Sequence, residues 1–142
     1  MPIAPSHLIT DSEELLHRNA HPMFVHEGRP SSQVFSLKTA DRGALSTQRN
    51  SKASPQVAYE RYTARGLASA GIWSITVLEC DELNLSAYDD PVADDDSHAI
   101  IDLTACPASQ ARRLTDKLAA KARSRGCQYS TSSTVETLRP ES

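Results

Sequence analysis

Apolar and polar positions fall into short blocks separated by proline, glycine and acidic residues. Residues 1–10 read as a flexible tail. Thr10 or Asp11 can cap a helix, with Glu13 and Glu14 in its first turn, Leu15 and Leu16 in its body and Pro22 as its stop. Met23-Phe24-Val25 is a short strand candidate, and Gly28-Arg29-Pro30 a turn. The stretch 31–37 alternates from Gln33 onward and predicts a half-buried strand. From Lys38 to Ala53 the chain is polar and turn-rich, with Leu45 as its apolar anchor. Ser54-Pro55 opens a helix that stops at Gly66. The run from Ile72 to Leu78 is rich in β-branched residues and predicts a central strand covered on both faces. His98 to Leu103 predicts a second buried strand. Pro107 starts a helix to about Arg125 whose Ala111, Leu114, Leu118 and Ala122 share one face. Residues 130–142 are Ser/Thr-rich without periodicity and predict a disordered tail.

This order predicts a single compact α+β domain over residues 11–129, with a small mixed or antiparallel sheet of four to five strands and about three helices. Its expected core is Ile72, Trp73, Ile75, Val77, Ile100, Leu103, Leu114 and Leu118.

Composition narrows the function classes. The 142 residues carry 15 Lys+Arg against 18 Asp+Glu, a net charge of −3, which disfavours nucleic-acid binding by overall charge. Aromatics are 5% of the chain, too few for an extended base-stacking surface. No apolar run reaches the ~20 residues that span a bilayer, and the start lacks the features of a signal peptide, so no membrane association and a cytoplasmic location are expected. Cys80, Cys106 and Cys127 include no CxxC pair and read as reduced thiols. No GxGxxG or GxxxxGK[ST] follows a strand, and no cofactor is expected.

Four constellations bear on chemistry. His17, His21 and His26 approach metal-ligand spacing, but Pro22 interrupts it and no third ligand completes it, so no metal site is expected. The polar run containing His21, Arg29, Ser31, Ser32, Gln33, Ser46 and Arg49 offers guanidiniums, hydroxyls and an imidazole suited to an anionic ligand. Segments 31–33 and 45–46 could pair across a turn at Asp41-Arg42-Gly43, bringing Arg29 and Arg49 to one end of the sheet. His21 and His98 are the acid–base candidates. The aspartates at 89, 90, 94, 95 and 96 match no EF-hand spacing and read as a solvated loop. Arg112, Arg113, Lys117, Lys121 and Arg123 form a basic helix face that could meet phosphates or an acidic protein.

The patterns His21-Pro22-x-Phe24-Val25, Gly28-Arg29-x-Ser31-Ser32-Gln33-x-Phe35 and Leu45-Ser46-x-x-Arg49 resemble those of small bacterial proteins to which no activity is attached. The resemblance implies a compact bacterial domain and carries no residue roles. Short length, acidic balance and the lack of a catalytic motif point first to an interaction or accessory protein that binds a protein partner, of the immunity, antitoxin or defence-system type. The alternative is a small enzyme or ligand-binding domain acting on a phosphate-bearing nucleotide or RNA end through a His/Arg/Ser pocket.

Overall fold

The protein is described by a computed structural model covering residues 7–27, 29–35 and 43–130. Its elements are β1 (Leu15–Asn19), β2 (Val25–His26), β3 (Arg29–Pro30), β4 (Ala44–Arg49), α1 (Pro55–Ala64), β5 (Ile72–Thr76), α2 (Val77–Asp81), β6 (Ser86–Asp89), β7 (His98–Asp102) and α3 (Ala108–Arg125). A five-stranded antiparallel sheet has the order β5-β1-β4-β7-β6, and β2 and β3 form a separate two-stranded hairpin. This is the expected α+β class.

The first apolar block forms a strand instead of the expected helix. Asp11 makes the local turn its side chain favours, accepting the Glu13 amide at 3.0 Å, and the chain then leaves extended. A turn near Asp11 and a proline at 22 leave too little room for a stable helix. Five cross-strand pairs, from Leu15↔Thr76 to Asn19↔Ile72, hold β1 on β5 instead. The strand expected over 31–37 is replaced, as far as it is described, by a 3-10 turn at Ser32–Phe35. Its neighbours Val34 and Phe35 are both buried, which a one-sided strand does not allow.

Two other boundaries move. The strand predicted through Leu78 stops at Thr76, where a capping box opens α2: Thr76 Oγ1 accepts the Glu79 amide at 3.1 Å and Glu79 Oε1 accepts the Thr76 amide at 2.9 Å. At the N-terminus, Ile9 is buried and donates its amide to Ala87 O at 2.9 Å, so the chain is docked there. Residues 1–6 and the expected tail from 131 lie outside the described residues.

All eight expected core residues are buried. Most join one cluster between α3 and the inner sheet face, built on Leu16, Leu45, Trp73, Ile75, Ile101 and Leu118, with Val34 and Phe35 alongside. The outer face is covered only in part. There α1 packs on β1 and β5, seating Ala58 against Ile72 and Ala53. The strands β4 and β7 keep an outer surface beyond this helix.

β5 is an outermost strand, not a central one, although both its faces are covered. Its free side meets the returning chain: Ile72 donates to Tyr129 O and accepts from the Gln128 amide, both at 2.8 Å. Arg125 Nη1 donates to Ser74 O at 2.8 Å. At the opposite side of the sheet, Leu8 bridges Tyr88 on β6. Gly71, at φ 145°, enters β5 where a Cβ would lie 2.7 Å from Tyr129 O, so the close approach requires glycine.

Candidate functional site

Cross-strand register sets a polar row on the outer face. Ser74 lies opposite His17, His17 opposite Gln48, and Gln48 opposite His98, so four strands contribute one residue each. The row has two environments. Under α1, His17 is fully buried. Its Nδ1 accepts from Ser74 Oγ at 2.7 Å and its Nε2 donates to Asn50 Oδ1 at 3.0 Å. Burial pushes the imidazole below its ordinary pKa, although Asn50 and the Glu14 charge oppose that shift. His17 is therefore a neutral structural group.

Beyond α1 the row opens into a hollow of about 210 Å³ lined by Arg18, Asn19, Ser46, Gln48, Tyr62, Arg65, Leu67 and His98. A second hollow of about 110 Å³ shares Arg18, Asn19 and Tyr62 with the first and adds His21, Phe24, Gln33 and Val34. Among the described residues no Asp or Glu lines either one.

The hollows adjoin a local parting of the sheet. β1 runs beside β5 for five pairs but meets β4 for only two, Leu16↔Arg49 and His17↔Gln48. Past His17 the Arg18 guanidinium bridges the elements, Nε donating to Val34 O and Nη1 to Ser46 O, both at 2.8 Å. Asn19 is fixed as well, its Oδ1 accepting from Ser69 Oγ at 2.7 Å and its Nδ2 donating to Ala58 O at 3.4 Å. Tyr62 and Arg65 come from α1 and its C-cap.

Hydrogen bonds assign the protons of the two lining histidines. His98 Nδ1 lies 2.9 Å from Asp90 O and 3.1 Å from the Asp90 carboxylate. A carbonyl only accepts, so Nδ1 carries the proton and the neutral ring keeps its lone pair on Nε2. That nitrogen has no hydrogen-bond partner among the described residues. It can take a proton from a bound hydroxyl, or meet an anion once protonated. His21 has the opposite arrangement. It caps the 3-10 turn Pro22–Phe24, with Nδ1 accepting the Met23 amide at 3.1 Å. Its neutral ring therefore presents Nε2–H, and the ring lies 5.9 Å from that of Phe24 between centroids.

Of the residues singled out in the sequence, His21 and Gln33 line the smaller hollow, and Ser46 and His98 the larger. The expected pairing of Arg29 with Arg49 does not form. Arg49 lies opposite Leu16, on the inner side of the sheet. It reaches Glu14 Oε1 at 2.7 Å and Asp89 Oδ1 at 3.2 Å, both carboxylates of the fold. Burial alone would raise the Glu14 pKa, but bonds from Arg49 and Ser51 outweigh it and hold the carboxyl below its ordinary value. Arg29 is exposed on the β2–β3 hairpin and lines neither hollow. Ser31 Oγ accepts the Gln33 amide at 3.3 Å, a turn contact, and Ser32 opens the following 3-10 turn.

Arg18, Asn19, Gln48, Tyr62 and Arg65 were not anticipated. Only Tyr62 and Arg65 had a sequence signal, the three-residue spacing that sets side chains on one helix side.

The other constellations resolve into structural roles or exposed surface. In the acidic loop, Asp95 and Asp96 accept from Arg61 Nη1 at 3.0 and 2.9 Å. No group of three or more potential metal ligands occurs among the described residues. On α3, Arg123 Nη1 donates to Pro30 O at 2.9 Å and Lys121 lies 3.6 Å from Glu82, while Arg112, Arg113 and Lys117 are exposed. Burial, with Asp81 and Glu79 nearby, pushes the Cys80 thiol up to about 12, so it is not an activated nucleophile.

No family model, curated protein or solved structure matches this chain. Among the described residues no helix is long and apolar enough to cross a membrane.

Proposed function

We propose that the chain is a binding domain for a small anionic molecule, held in the larger outer-face hollow by Arg65, Arg18 and His98. One observation carries the reading: Arg18, Arg65 and His98 line that hollow with amide and hydroxyl residues, and no Asp or Glu lines it among the described residues. Such a lining favours a phosphate or carboxylate over a neutral or cationic guest. Its size suits a small ligand group better than an extended polymer. His98, with its proton held toward Asp90, gives the site a base should the bound molecule undergo proton transfer.

Isothermal titration at low salt with ribose 5-phosphate and inorganic phosphate tests this reading. Binding is expected, with Arg65→Ala and His98→Gln each weakening it about tenfold or more and leaving the unliganded thermal midpoint nearly unchanged. Binding unaffected by either substitution would remove the hollow as the site.

The protein-partner reading rests on a different region, the exposed Arg112, Arg113 and Lys117 of α3, which suit an acidic protein surface. Reversing those three charges would abolish such a complex without changing anion binding.

A further inference from the structure

Resting on that anion site, we infer that the second hollow takes a planar heterocycle, making the ligand class a mononucleotide. The two hollows share the Arg18–Asn19–Tyr62 boundary but differ in chemistry. The larger carries Arg65, Ser46, Gln48 and His98, suited to charge. The smaller carries Phe24, Val34 and the His21 ring, suited to a flat, weakly polar body.

A molecule filling both needs an anionic group at one end, a ring at the other and a short polar spacer across the boundary. A base, sugar and phosphate meet all three requirements. Bare phosphate or a sugar phosphate fills only the first hollow.

The ring hollow also has groups that can read a base edge. The Gln33 side chain is exposed and makes no hydrogen bond among the described residues, so its amide is available both to donate and to accept. The cap on Met23 commits His21 Nδ1 and presents Nε2–H as a fixed donor. Tyr62 lines both hollows and can follow the sugar between them.

The experiment compares inorganic phosphate, ribose 5-phosphate and the four common 5′-ribonucleoside monophosphates by isothermal titration with the full chain. At least one mononucleotide is expected to bind about tenfold or more tightly than ribose 5-phosphate, as ring stacking and edge contacts add to the anion's hold. Phe24→Ala should remove that gain and leave ribose 5-phosphate unchanged. Because Phe24 also packs on the core, Gln33→Ala at an exposed position supplies a second reading, altering the preference among the four bases. Mononucleotides and ribose 5-phosphate binding alike would overturn the ring hollow and keep the anion site. Neither substitution changing the nucleotides relative to ribose 5-phosphate would overturn it too. Failure of every anion to bind would overturn both proposals.

Discussion

His17 and His98 sit on the same face of one sheet, two strands apart, with Gln48 between them. Residue type, strand setting and facing direction are shared, yet their roles differ. His17 lies under α1 with both ring nitrogens committed, to Ser74 and Asn50. His98 lies beyond α1, with Nδ1 held by Asp90, and lines a hollow together with Arg18 and Arg65. The extent of a single ten-residue helix separates the enclosed histidine from the one that lines the hollow.

The largest test of this contrast concerns packing. Ile72 is fully buried against Ala58 beneath α1, and Ile72→Ala should cost ~2–5 kcal/mol in urea unfolding. Ile100 is buried on the same face but belongs to neither core cluster, so Ile100→Ala should cost less. Equal losses would erase the difference between covered and open halves.

The next test exchanges the histidines. His17→Ala strands the buried Ser74 hydroxyl and should cost ~1–3 kcal/mol, whereas His98→Gln should change stability by less than about 1 kcal/mol. A His98 substitution as damaging as that at His17 would make both structural.

A smaller effect appears in pH dependence. Folded His17 has its pKa below the ordinary value of 6.5, so the unfolded chain binds the proton more readily. Stability should therefore fall as pH drops below about 6.5, and His17→Gln should flatten that part of the profile. Glu14 acts in a lower window. Its folded pKa is below the ordinary value of 4.5, so its contribution is present above about 4.5 and disappears as pH falls through the folded value. Arg49→Ala should remove most of that second component.

The smallest expected effect is spectroscopic. Long-range nitrogen–proton correlation near pH 8 should find His98 protonated on Nδ1 and His17 and His21 on Nε2. The reverse assignment at His98 would leave the hollow without its proton acceptor.

The class and core were legible because burial follows apolarity directly: Ile72, Trp73, Ile75, Ile100, Ile101, Leu103 and the α3 stripe are all buried, on one sheet face or the other. The missed elements depended on competition. Leu15 to Asn19 followed helix-start signals at Thr10 to Glu14, but a ladder with Ile72 to Thr76 prevailed. β4 reads Ala-Leu-Ser-Thr-Gln-Arg, with little strand propensity, and becomes extended because β1 and β7 flank it. Thr76 and Glu79 did hold a local signal, the capping box, hidden within an apolar run. Of the candidate residues picked by side-chain chemistry, His21, Gln33, Ser46 and His98 line the two hollows. Arg49 looked like an anion ligand by the same criterion, and only tertiary structure brings Glu14 and Asp89 to it.

The short returns along the two sides of the sheet occupy backbone positions that strand addition would need. An unpaired outer strand is a template for strand addition, and one reading Ile-Trp-Ser-Ile-Thr invites self-association. Here Ile72 is already bonded to Gln128 and Tyr129, Arg125 occupies Ser74 O, and Ile9 occupies Ala87 O across the sheet. Extended peptides therefore find these backbone positions taken. Fibrillar stacking through β5 requires the chain first to peel residues 128–129 away.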